Sequence, residues 1–124
     1  MASTLTAYIP NTKITVTTSP IGFIDTTSYL TRIKIDPIPS PPVANLTLSS
    51  GFVVGQLKKI QLVMNGGFTA IVSGQHFLEG PTQTITFTKM GDTAELMWTR
   101  NGWRIISTSS KDGSADTPEI NLPP

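Results

Sequence analysis

Cysteine is missing from the 124 residues, which excludes a disulfide framework and any thiolate metal site. Histidine is nearly missing. His76 is the only one, so a multi-histidine metal centre is excluded and any catalytic triad has to be built around that residue. Charge is sparse, at 14% of residues against about 25% in an average soluble domain. Nine Lys and Arg against eight Asp and Glu leave a net charge of +1, so no field of one sign is available to draw in nucleic acid or an anionic membrane. No apolar run approaches the roughly 20 residues of a membrane span, and "MASTLTAYIP" has neither the basic start nor the apolar stretch of a secretory signal. The expectation is a chain that engages neither nucleic acid nor membrane. Asn45-Leu46-Thr47 fits the glycosylation sequon, but without a secretory route it reads as the start of a strand.

What replaces the charge is Thr, Ser, Gly and Pro, a composition suited to pleated sheets and extended packing. The length is that of one domain with a modest core. Pro10, Pro20, Pro37, Pro39, Pro41 and Pro42 crowd the first third, whereas Pro81 alone interrupts Val43 to Thr117. The first third therefore reads as an extended, locally paired arm over 1–42. Its strands are "KITVTT" and "YLTRIKI", and "DPIPSPP" is a stiff connector. From Val43 the runs "ANLTLS", "QLKKIQLVM", "FTAIV", "TITFT", "AELMWT" and "WRIIS" are short and separated by glycine-containing turns. Their lengths and spacing predict an all-β core over 43–110, a single antiparallel β-sandwich or small barrel. "QLKKIQLVMN" can be written as a short helix, but its flanking glycines and Asn65-Gly66 favour a strand. The tail over 111–124 reads as flexible, with docking on a neighbour through Ile120 and Leu122 as the alternative.

Both tryptophans lie in "LMWTRNGWRII". A two-residue turn at Asn101-Gly102 would place Arg100 opposite Trp103, Thr99 opposite Arg104 and Trp98 opposite Ile105. Opposed residues share a face. Leu96, Trp98, Trp103 and Ile105 then line one side, and Glu95, Met97, Thr99, Arg104 and Ile106 the other. The first side reads as a core layer, because each buried aromatic removes about 150 to 250 Å² from water. The other reading leaves Trp103 exposed beside Arg100 as a stacking or sugar-binding ring. Met97 and Ile106 make the second side partly apolar, which points to a subunit interface.

Chemistry-bearing clusters are thin. Ser73, His76 and Glu79 fall within "SGQHFLEG", but nothing like a nucleophile elbow surrounds the serine. The carboxylates are scattered singly. Asp112, Ser114 and Asp116 offer alternate oxygens to a cation, without the remaining ligands of a Ca²⁺ loop. "GFVVG" and "NGG" match neither phosphate-binding loop. Lys58 and Lys59 form the sole basic pair and in a strand point to opposite faces. No catalytic residue, metal ligand or cofactor is expected.

The succession from Gly55 to Ser107 is "GQLKKIQLVM", a "GG" turn, "FTAIVSG", "ITFTKMGDTAELMW" and "GWRIIS". It resembles a β-rich module of virion structural proteins in tailed phages and other large DNA viruses. The likeness is carried by Gly55, Lys58 to Ile60, Gly66-Gly67, Ile85 to Phe87, Gly91-Asp92, Ala94, Leu96, Trp98, Gly102-Trp103, Ile105 and Ile106, and it covers less than half the chain. It implies a non-enzymatic, β-structured virion component, often trimeric, as a capsid decoration protein or part of a fibre. Fibres are usually long, with a repeated shaft or coiled coil, and neither appears here. A compact domain with an extended arm suits a minor capsid or decoration subunit on the capsid surface, cementing major capsid proteins through apolar strand faces and strand addition by the arm. The expected contact residues are Tyr8, Ile9, Ile21, Phe23, Ile24, Met97 and Ile106. The alternative is a receptor- or carbohydrate-binding head of a fibre, using exposed Trp103, Arg100, Tyr29 and Phe77 around polar loops.

Overall fold

The computed structural model describes residues 14–17, 21–35, 42–64, 67–74, 76–78, 80, 83–111 and 118–121, and among these there is no helix. The strands are β1 (Ile14–Thr17), β2 (Ile21–Ile24), β3 (Leu30–Lys34), β4 (Val43–Leu48), β5 (Leu57–Met64), β6 (Thr69–Ser73), β7 (Thr84–Phe87), β8 (Thr93–Thr99), β9 (Gly102–Ser109) and β10 (Glu119–Asn121). They form two five-stranded sheets, ordered β1-β3-β5-β8-β9 and β10-β7-β6-β4-β2. The all-β sandwich expected from the sequence is what the chain builds.

Period-two patterning puts the apolar residues between the sheets. Ile60 and Leu62 of β5, with Ala94 and Leu96 of β8, face Ala44, Leu46 and Leu48 of β4, Ala70 and Val72 of β6, and Ile85 and Phe87 of β7, all buried. Threonines take the outward positions between them, at Thr47, Thr69, Thr84 and Thr86. β-Branched side chains fit a pleated, half-exposed surface without adding charge.

Three expectations need correction. The sheets are mixed, not wholly antiparallel. β1 runs parallel to β3, β3 to β5, β2 to β4 and β4 to β6, while β5–β8, β8–β9, β6–β7 and β7–β10 are antiparallel. The reason is that the chain alternates between sheets from β1 to β6, so each strand lands beside the strand two before it. Second, the core does not begin at Val43. Ile24, Ile33 and Ile35 are fully buried in the same cluster, because β3 lies between β1 and β5 and β2 pairs β4. Third, part of the tail is strand. β10 extends the second sheet on β7, with Ile120 opposite Ile85 and packed against the core. Tyr8, Ile9, the connector prolines before Pro42, Leu122 and the Asp112–Asp116 oxygens lie outside the described residues.

The tryptophan hairpin keeps its faces and changes its partners. Trp98 pairs with Trp103, Leu96 with Ile105 and Thr99 with Gly102, leaving Arg100-Asn101 as the turn. A type I′ turn needs positive φ at both central residues, and no non-glycine described residue has it, whereas Gly102 does (φ 132°). The turn is locked by Thr99 Oγ1, which donates to the Gly102 carbonyl at 2.7 Å and accepts from Asn101 N at 3.1 Å. Moving the partners by two residues preserves every side chain's face, so Leu96, Trp98, Trp103 and Ile105 still share one. A bulge between Glu95 and Leu96 leaves Ile106 without a directly opposed partner.

Candidate functional site

The connections after β2, β4 and β6 all emerge at one end of the sandwich, since these strands are parallel and β3 and β5 start there. At this end Phe23 is 75% exposed, Phe52 67%, Val54 58% and Val53 50%, with Leu78 also exposed. Phe23, Thr47, Leu48, Ser49, Ser50 and His76 surround a pocket of about 310 Å³. Exposed apolar side chains thus share one end of the sandwich, Phe23 near the end of β2 and the others in loops, rather than being scattered singly.

The two tryptophans hold this end in place. Trp103 is 1% exposed, and its indole Nε1 donates to the Ser49 carbonyl at 2.7 Å. Its backbone N–H donates to His76 O at 2.6 Å, and its own carbonyl accepts from Leu78 N at 2.9 Å. The 76–78 segment thus adds a parallel bridge, Phe77 to Trp103, beside the start of β9. Trp98 meets Trp103 edge-on at 5.2 Å and His76 at 6.2 Å. It also lies so close over Gly51 that a Cβ there would overlap the indole. The rings are a footing for the segments 49–56 and 76–78. Trp103 is not an exposed stacking ring, and neither is Phe77, 3% exposed. A sheet apolar on its inner side and closed by the 76–78 bridge leaves both rings no path to solvent.

Below the loops, Lys58 stands in the inward row of β5 ahead of Ile60 and Leu62, fully buried. Its Nζ donates to Asp25 O at 2.6 Å, Thr31 Oγ1 at 2.5 Å, and both Ser28 O and Ser28 Oγ at 3.1 Å. Burial pulls this ammonium down from 10.5 to about 8, and the charge of Asp25 opposes the fall. Gln56, also buried, donates to Thr26 O at 2.6 Å and accepts from Phe52 N at 2.6 Å. These two side chains tie the 25–29 crossover to the base of the exposed Phe52 loop, and every hydrogen of the buried cation is directed at an oxygen.

The remaining expected residues are dispersed. Ile24 is 1% exposed and belongs to the core, so it is not a contact residue; period two turns it inward because Phe23 points out. Ile21 opens β2 opposite Asn45. Met97 is half-buried on the outer side of the first sheet and Ile106 is 44% exposed. Arg100 is exposed at the hairpin turn. Tyr29 is half-buried, its hydroxyl donating to Glu95 Oε2 at 2.6 Å. Burial first, then that hydrogen bond and the carboxylate's charge, push the phenol up from 10.0 to about 12.

Ser73 ends β6 and His76 is exposed, with no hydrogen bond between them among the described residues; Glu79 lies outside those residues. Among the described residues no three His, Asp or Glu side chains gather as for a metal ion, and no helix is long and apolar enough to cross a membrane. The loop end was missed by the sequence reading. "GFVVG" was weighed only against phosphate loops, although three consecutive apolar residues between two glycines were a visible signal. Comparison with protein-family profiles and with curated protein sequences finds no match to this chain.

Proposed function

We propose that this protein is a structural subunit of a virion, a minor capsid or decoration protein, and that its mechanism is docking rather than catalysis. The carrying observation is the set of exposed apolar side chains at one end, Phe23 of β2 with Phe52, Val53, Val54 and Leu78 of the loops, footed on the buried Trp103 and the partly buried Trp98. Rigid presentation matters because ordering a mobile loop on binding subtracts from affinity. The partner is a neighbouring capsid protein, met at the capsid surface. The virion assignment itself is supported by the resemblance carried between Gly55 and Ser107.

In this reading copies of the chain associate as a trimer through the outer side of β8 and β9, where Met97 and the bulged Ile106 lie, leaving the loop end free for the capsid. The test is the solution mass of the full-length chain by size-exclusion chromatography with light scattering. A trimer is expected, reduced to monomer by Ile106→Asp and unaffected by Phe52→Asp. A monodisperse wild-type monomer overturns the symmetric assembly, and a trimer broken by Phe52→Asp overturns the division of surfaces.

A further inference from the structure

The opposite end of the sandwich carries a second surface of different chemistry. β3 and β5 pair in regular parallel register from Leu30–Lys59 to Ile33–Leu62, and then Lys34 pairs with Met64, so Val63 is an inserted residue. In an uninterrupted strand Val63 and Met64 would point to opposite faces. Val63 is outward by that alternation, and at the bulge Met64 departs from the inward row, so both line a groove of about 370 Å³ together with Arg32 and Lys34. Arg32 and Lys34 are exposed and have no ion-pair partner among the described residues.

The neighbourhood adds to the same sign of charge. Gly91 N donates to Leu62 O at 2.7 Å and Leu62 N to Asp92 O at 2.9 Å, which sets the 88–92 turn against the end of β5. Lys89 is exposed on that turn, and the side chain of the exposed Lys111 packs over Gly91. The turn's carboxylate, Asp92, is fully buried and accepts from Thr88 N and Lys89 N at 3.0 Å. It is turned inward as a structural acceptor of the 88–92 turn. The exposed charges of the groove's own described lining, Arg32 and Lys34, are both positive.

We infer that this bulged groove is a docking site for an acidic segment of a partner polypeptide, with carboxylates on Arg32 and Lys34 and an apolar side chain between Val63 and Met64. Charge complementarity selects the acidic partner, and the bulge supplies the apolar floor that a simple ion-exchange surface lacks. Among the described residues the lining holds no aromatic ring of the kind on which single-stranded nucleic acid stacks. This inference does not depend on the virion reading.

The experiment is fluorescence anisotropy of the full-length chain with a labelled short peptide of alternating Glu and Leu, beside a Ser–Leu peptide and a thymidine oligonucleotide of equal length. The Glu–Leu peptide should bind, weaken as salt rises, and lose about tenfold in affinity when Arg32→Glu and Lys34→Glu are combined. Both positions are exposed, so the unfolding midpoint should stay within the range of ordinary surface substitutions; Arg32→Gln with Lys34→Gln serves if the reversal disturbs folding. Equal binding by the variants, equal binding of the Ser–Leu peptide, or preference for the oligonucleotide would each overturn the assignment.

Discussion

Raising the pH through the range between 8 and 10.5 should make this protein harder to unfold, because Lys58 binds its proton less tightly in the folded chain. The sign follows from linkage. Where the unfolded chain holds more protons than the folded one, stability rises with pH. Here the unfolded lysine keeps its proton to about 10.5 and the folded one only to about 8, so the stabilisation is present above 10.5 and lost as pH falls through 8. At about 1.36 kcal/mol per pH unit this amounts to roughly 3 kcal/mol. That is a large part of the ~5–15 kcal/mol that holds a domain together. The cage of Asp25, Ser28 and Thr31 oxygens offsets part of the cost of burying the ammonium, and no carboxylate oxygen is among its hydrogen-bond partners. The perturbation is Lys58→Met, which keeps length and apolar stem, removes the charge and leaves the cage oxygens without their donor. Urea unfolding from pH 7 to 10.5 is the assay. Wild type should gain stability over this interval by about 3 kcal/mol more than the variant, so the substitution does more harm at pH 10 than at pH 7. Parallel curves for the two proteins, or a wild type that loses more stability than the variant, would refute the argument.

Spectrophotometric titration of the two tyrosines should show Tyr29 ionising near 12, and Glu95→Gln should bring it down, since one of its causes is that carboxylate; above pH 10 this phenol works against stability, because only the unfolded chain then ionises freely. Trp103→Phe removes the hydrogen bond to Ser49 O and leaves a void at the foot of the loops, and chemical denaturation should show a loss of about 2 to 4 kcal/mol. The same variant should abolish the exciton-coupled circular dichroism of the Trp98–Trp103 pair while Trp98→Phe abolishes it with less destabilisation, as Trp98 is only partly buried. Gly102→Ala should cost more than about 2 kcal/mol in thermal unfolding, because the position combines φ 132° with a Cβ that would collide with the carbonyl oxygen of His76.

Period two was the most legible part of the sequence. It placed Leu96, Trp98, Trp103 and Ile105 on one face, and it sent Lys58 and Lys59 in opposite directions. It did not say that Lys58 would be the one turned inward. Composition treats a lysine as surface, and the oxygens that accept its hydrogens come from a segment some thirty positions earlier. Partner identity was harder than face. The hairpin partners moved by two residues without any side chain changing sides, because a period-two pattern is blind to such a shift. Parallel pairing was not legible at all, since local turn signals report only hairpins. For the same reason the first third looked detached. Its prolines were read as an arm, while Ile24, Ile33 and Ile35 between them were core residues of strands whose partners lie far along the chain. The loop end stayed hidden because Phe52, Val53 and Val54 sit between two glycines, and those glycines drew a comparison with phosphate-binding loops rather than attention to the apolar residues between them.

The alternation of β1 to β6 between the two sheets has a consequence for how the molecule can form and change. From Ile14 to Ser73 the chain is wound like thread on a spool, each circuit laying one strand on either side of the core, and no two successive strands of that stretch touch as a hairpin. Among the described strands, folding then has only β6–β7 and β8–β9 as local starting points, and the circuits must be laid down against them. Growth follows the same rule. One added strand would leave an unmatched face, whereas one added circuit lengthens both sheets together and keeps the core closed.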